Sequence, residues 1–235
     1  MHKYISDDIF NSLGNMELKL GYSSFDILSD GYVDEFNDNY FFISNFSKEL
    51  AFKKSGGILK PELWQFGFAK RDGYGYKTEY FSVHPYHAGG IAWSRLKVTA
   101  PDIRTFAPVP QNALVRFNEE FRFGTINEGG INLGFGDGFI SLNAGYKLDV
   151  IFPRYLIWKH LGSFIIEQAA QKGLDTFIDA IMDHSSASGP IVNVLLKNGL
   201  SYAFYTLKRE NMNWPFNTEA PLTFETFKFG ITFTF

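Results

Sequence analysis

The chain has 235 residues, no cysteine and a formal net charge of −3. Its length suits one large β domain, and no Ser/Gly/Pro-rich linker divides it, so a single domain over residues 1–235 is expected. The missing cysteine excludes disulfides, thiolate metal sites and cysteine nucleophiles, and the missing basic excess argues against nucleic acid as a partner.

The aromatic fraction is 18%, carried by 26 Phe, 12 Tyr and 4 Trp, and such residues favour strands and membrane interfaces. No run approaches the roughly 18 apolar residues of a transmembrane helix. If this chain spans a membrane, it does so as a β-barrel, the other structure that satisfies every backbone hydrogen bond in lipid.

Residues 1–15 show no clear period and read as a lead-in. Alternation over 16–28 predicts a first strand, and Tyr40–Lys53 a second, beyond a polar stretch at 29–39. After Ser55-Gly-Gly, Trp64, Phe66 and Phe68 alternate cleanly with Gln65, Gly67 and Ala69. Asp72-Gly73 then supplies a two-residue hairpin turn, with Tyr74–Val83 as the return strand and Pro85 as its end. Residues 89–99 form a weaker strand, and Pro101, Pro108 and Pro110 mark an irregular loop.

Asn112–Thr125 sets Val115, Phe117, Phe121 and Phe123 against Arg116, Asn118, Glu120 and Arg122. A turn at Asn127-Glu-Gly-Gly130, a short strand at Ile131–Gly136 and a tight turn at Gly136-Asp-Gly138 follow. In Phe139–Phe152, Ile140, Leu142, Ala144, Tyr146, Leu148, Val150 and Phe152 oppose Ser141, Asn143, Gly145, Lys147 and Asp149. The period then lengthens to three and four residues, predicting a helical insert over about 155–184, bent or broken at Gly173 with Asp175 as N-cap. Ile191–Leu207 keeps Val192, Val194, Leu196, Leu200, Tyr202 and Phe204 in alternating phase and reads as one long strand, despite the hairpin signal at Asn198-Gly199. A polar loop over 208–221 leads to the last strand. There Phe227, Phe229, Ile231, Phe233 and Phe235 share one face, against Thr226, Lys228, Gly230, Thr232 and Thr234.

The stretch Phe229-Gly-Ile-Thr-Phe-Thr-Phe235 resembles the C-terminal strand of bacterial outer-membrane β-barrel proteins, which alternates apolar residues and ends in an aromatic. The resemblance covers about a dozen residues and implies a class. It makes Phe229, Ile231, Phe233 and Phe235 the signal read by the barrel-assembly machinery during biogenesis. The expected fold is all-β, an antiparallel transmembrane β-barrel of about 8–10 strands with one helical insert, monomeric and in contact with membrane lipid. The expected location is the bacterial outer membrane, with the leader removed, because Met1-His-Lys-Tyr-Ile-Ser-Asp-Asp lacks the apolar core of a secretory signal. With Phe235 periplasmic, the strand at 191–207 ascends and the helical insert becomes periplasmic, either at the interface or as a plug. Loops near 29–39 and 100–112 are then external, and turns at 54–61, 84–88 and 126–130 internal.

Candidate chemistry is sparse, and no cofactor is expected. His84 and His87 are three apart in a Pro-containing segment, a possible but weak metal pair. His184 and Ser185 resemble the His and Ser of lipid-hydrolysing membrane barrels, but no acid partner is evident. Arg116, Glu120, Arg122, Lys147, Asp149 and Lys228 fall on the polar faces and are expected to line the lumen and pair there. The functional expectation is a narrow, porin-like channel or a structural or surface-interaction barrel. A lipid-modifying barrel enzyme and a soluble lipid-binding β-barrel are the alternatives.

Overall fold

The computed structural model describes residues 13–28, 31–51, 60–99, 116–136 and 139–235. Seven strands run in sequence order: β1 (Gly14–Ile27), β2 (Val33–Ser47), β3 (Lys60–Lys77), β4 (Phe81–Thr99), β5 (Phe121–Phe135), β6 (Ile140–Ile151) and β7 (Leu222–Phe233). Each pairs antiparallel with the next, giving one sheet of order β1-β2-β3-β4-β5-β6-β7. Between β6 and β7 stand two helices, α1 (Ile157–His184) and α2 (Gly189–Lys208), joined by a 3-10 turn at Ser186–Ser188.

The sheet is a curled, open half-barrel. Its curl is measured by side chains that meet across intervening strands: Gln65 on β3 donates to Asp149 on β6 at 2.8 Å, and Lys147 on β6 reaches Glu17 on β1 at 3.3 Å. Only a concave face brings such residues together. The register Tyr40↔Ala69↔Gly90↔Ile126↔Asp149↔Phe224 assigns that face to alternate residues of every strand from β2 to β7.

The concave face is filled. Phe46, Leu63, Leu96, Phe117 and Ile151 form an apolar layer toward one end, and Tyr40, Phe42, Ala69, Ala92 and Ile126 a second layer. Where the helices do not cover it, the convex face is largely apolar and open: Leu18, Leu20, Trp64, Phe68, Phe227 and Phe229 are all exposed, Phe229 to 85%. A water-soluble sheet buries one apolar side and wets the other; here the second side is apolar as well.

Both helices lie on the convex face. Along α2, Lys197 bonds Asp72 on β3, Ser201 bonds His87 on β4, and Tyr205 packs with Leu148 and Val150 of β6. α1 leans on α2 through Gln171–Ser201 and Asp175–Lys197, at 3.0 and 2.8 Å, and through the Glu167–Lys208 pair.

Several sequence expectations are corrected here. Among the described residues seven strands stand where eight to ten were expected, and the sheet they form is open. Asp72-Gly73 is not a hairpin but lies inside β3, and Pro85 lies inside β4. A Cβ on Gly73 would sit 2.5 Å from the Pro85 carbonyl oxygen, so this glycine serves close approach. Residues 73–75 and 84–86 drop out of the β3–β4 ladder, where Pro85 has no N–H to give. Asn127–Gly130 is not a turn but the middle of β5; a Cβ on Gly129 would meet Asn198 Oδ1 at 2.5 Å, and one on Gly130 the Tyr86 hydroxyl at 2.6 Å. Residues 33–39, expected as loop, begin β2, and Arg116–Glu120 precede β5 as loop. The loop prolines at 101–110, the turn at 55–57, Asp137-Gly138 and residues 1–12 of the lead-in lie outside the described residues.

The largest correction is Ile191–Leu207, which is helical. Its buried positions, Asn193, Ser201, Phe204, Tyr205 and Lys208, recur at helical spacing, and Pro190 stands in the first turn, where its missing N–H costs nothing. α1 in turn runs unbroken through Gly173, and Asp175 pairs with Lys197 instead of capping. Losing a strand changes the topology. The helical pair now joins the end of β6 to the start of β7, at the end opposite Phe235.

The two ends differ sharply. Residues 28–32, 78–80 and 136–139 connect strands at the Phe235 end, with Gly31 and Gly136 at φ of +74° and +60° as tight turns demand. Residues 48–59, 100–120 and 152–221 connect them at the other. The internal turns expected at 84–88 and 126–130 do not exist; the external loop expected near 29–39 is instead the short 28–32 connection at the Phe235 end, and the internal turn expected at 54–61 falls in the connection at the opposite end, while the loop expected at 100–112 lies outside the described residues.

Candidate functional site

Two polar constellations stand out, one on each face of the sheet. The first is a belt across the concave face. Lys147, fully buried, donates to Gln65 Oε1 at 2.7 Å, faces Glu17 at 3.3 Å and Asp149 at 3.5 Å, and lies 4.6 Å from the Phe42 ring centroid. Lys228 pairs with Glu17 and, at 2.8 Å, with Glu128. Lys19 completes this group with Glu128 at 3.4 Å. Tyr86 donates to Glu128 at 2.7 Å, and Arg71 pairs with Asp38 beside the Tyr86 ring. Four cations (Lys19, Arg71, Lys147, Lys228) thus face four anions (Glu17, Asp38, Glu128, Asp149), so the belt is balanced internally.

Of the six expected lumen charges, Lys147, Asp149 and Lys228 sit in this belt. The other three gather elsewhere: Arg116 is exposed and bonds Glu219 at 2.7 Å, while Arg122 bonds the Arg116 carbonyl at 2.6 Å and pairs with the exposed Glu120. Glu17 and Lys19 were signalled by their alternation with Met16, Leu18 and Leu20. Glu128 was hidden inside a sequence that reads as a turn.

The second constellation lies between the convex face and α1. It is an open groove of about 750 Å³ at mid-strand height, bordered by Leu20, Phe41, Phe68 and Ile91 of the sheet and by Phe164, Glu167 and Gln171 of α1. Behind its His87 wall, Ser201 Oγ lies 2.7 Å from His87 Nε2 and accepts from Gln171 at 3.0 Å. The spacing is that of a nucleophile and base. Ser201 is only 2% exposed and does not border the groove, so it fixes the His87 ring instead of meeting a substrate.

The sequence-level histidine candidates come apart. His84 points to the concave side and bonds Asp34 at 2.9 Å, whereas His87 faces α2, so one ion cannot join them. No group of three His, Asp or Glu suited to a metal occurs among the described residues. His184 Nδ1 bonds the Ala180 carbonyl at 2.8 Å, as a helix-end histidine does, and Ser185 gives its backbone N–H to Ile181. Phe229, Ile231 and Phe233 share the exposed convex face of β7 with Phe235 beyond it.

Comparison with protein-family models, with curated proteins and with solved structures returned no match.

Proposed function

We propose that the chain is a bacterial outer-membrane β-barrel protein with a filled interior, a structural or surface-interaction barrel in place of an open pore. The observation that carries this is the apolar exterior: aromatic and aliphatic residues cover the outside of the curl, while charges pair inside it between apolar layers. Leaving Leu18, Leu20, Phe227, Phe229 and Phe233 in water together exceeds what a soluble surface sustains. Strands of 12 to 19 residues exceed the roughly 9–11 that cross a bilayer when tilted.

The asymmetry of the ends supports the same reading. Bacterial barrels place short turns in the periplasm and long loops outside. Here Phe235 lies at the short-turn end, which makes that end periplasmic and puts the loops that lead into and out of the helical pair outside. In lipid the free edges of β1 and β7 must also be paired. The two strands run in the same direction, so a seam between them would be a parallel one, unlike the antiparallel pairs of the rest of the sheet; the Glu17–Lys228 pair brings them near each other across the concave face.

The interior argues against conduction. The layer around Phe46, Leu63, Leu96 and Phe117 covers the end with long connections, and the charged belt occupies mid-height. The test is extraction: the protein should require detergent and show heat-modifiable mobility on a detergent gel. A chain that is monodisperse without detergent overturns the membrane reading and leaves the soluble lipid-binding barrel.

A further inference from the structure

We propose that the groove between the convex face and α1 is a binding site for one glycerophospholipid of the surrounding bilayer. The inference rests on the membrane reading. The groove is amphipathic along its length. Leu20, Phe41, Phe68 and Ile91, at mid-strand where chains lie in a bilayer, and Phe164 of α1 offer an acyl chain an apolar trough.

Its polar end is unsatisfied in a way that specifies a ligand. Gln171 Oε1 there is a buried atom without a hydrogen-bond partner, and Thr125 Oγ1, also unpartnered, lines the groove beside Ile91, its neighbour across the β4–β5 ladder. An acceptor buried in that way costs free energy until a donor reaches it, and a headgroup hydroxyl or ammonium is such a donor. The other groove charges are spent: Lys197 is held by Asp72 and Asp175, and Glu167 by Lys208. Lys70, exposed on the groove wall, has no ion pair among the described residues and is the cation left for a phosphate.

The floor is shaped to leave room. A Cβ on Gly89 would meet only Asn127 Oδ1 at 3.6 Å and His87 Cε1 at 3.7 Å, ordinary contacts, so the site could hold a side chain and holds none. His87 stays fixed beneath it by the Ser201 hydroxyl. The groove is therefore a permanent feature of how α1 and α2 dock, and it faces the lipid phase on one side.

Native mass spectrometry of protein extracted in mild detergent tests this. The wild type should carry one phospholipid per chain. Gly89→Phe, which fills the floor, and Lys70→Glu, which reverses the phosphate site, should each cut occupancy at least tenfold. Vesicles of phosphatidylethanolamine with a photoactivatable acyl chain give an independent reading, with label expected in α1 around Phe164 and on β3 around Phe68. A wild type without stoichiometric lipid, variants with undiminished lipid, or label spread evenly over β6 and β7 would each overturn the site. Heat-modifiable mobility, measured on the same samples, separates this failure from failure of the membrane reading.

Discussion

Gln65 on β3 and Asp149 on β6 share a 2.8 Å hydrogen bond although β4 and β5 stand between their strands. Both are buried, and Lys147 sits against both, so the three act as one polar unit in the concave face. Their burial makes their interdependence measurable.

Lys147→Met should remove the cation shared by Asp149, Glu17 and Gln65. Breaking a buried pair from one side costs about 3–5 kcal/mol, because the abandoned charge stays buried. Urea unfolding in detergent should show a loss of that order. Lys147→Met combined with Asp149→Leu should recover much of it; a double variant no better than the single one would reject the pairing.

Gly145 faces the same interior, and a Cβ there would lie 2.6 Å from the Tyr86 hydroxyl and 3.1 Å from Glu128 Oε1. Gly145→Val should therefore block folding, read as loss of heat-modifiable mobility. Tyr86→Ala on the Gly145→Val background should restore part of it by vacating the space. Absence of any rescue would assign the defect to the strand backbone instead.

The convex position of the helices predicts that they do not gate a lumen. Deleting Tyr155–Asp183 should leave planar-bilayer conductance at its low starting level. A rise in conductance would return the helix to the plug role and contradict the packing of α2 on Asp72 and His87.

His160, in the first turn of α1, stacks on the Phe152 ring at 4.4 Å with Nε2 directed at the Arg154 carbonyl. Burial holds its pKa below the ordinary 6.5, because the charged ring loses water, although the Arg154 carbonyl opposes this. A depressed histidine contributes stability that is present above pH 6.5 and is lost as pH falls toward the folded value. Hydrogen exchange over Ile157–Leu161 should accelerate on acidification through that window, and His160→Phe should abolish the dependence.

The alternation of β1, β3, β6 and β7 was legible because a strand whose two faces meet different surroundings writes a period of two directly into its residues. So was the long helix at 157–184, whose spacing has no strand counterpart. Two glycine-containing turn signals misled for one reason. Gly73, Gly129 and Gly130 have the chemistry of turns, yet each is small because Pro85, Asn198 or Tyr86 presses on it from a distant segment. Ile191–Leu207 carries a mixed pattern, with Val192, Val194 and Leu196 alternating while Asn193, Ser201 and Lys208 bury at helical spacing.

The sequence by itself determined a mostly β protein with alternating strands, and a last strand with one apolar face, Phe227, Phe229, Ile231 and Phe233. Only the tertiary structure decided which charges meet, that the helices dock outside the curl, and at which end they enter. Those outcomes depend on the degree of curl and on contacts such as Gln65–Asp149 and Lys197–Asp72, between residues 84 and 125 positions apart. A local period of two or 3.6 residues carries no information at that range.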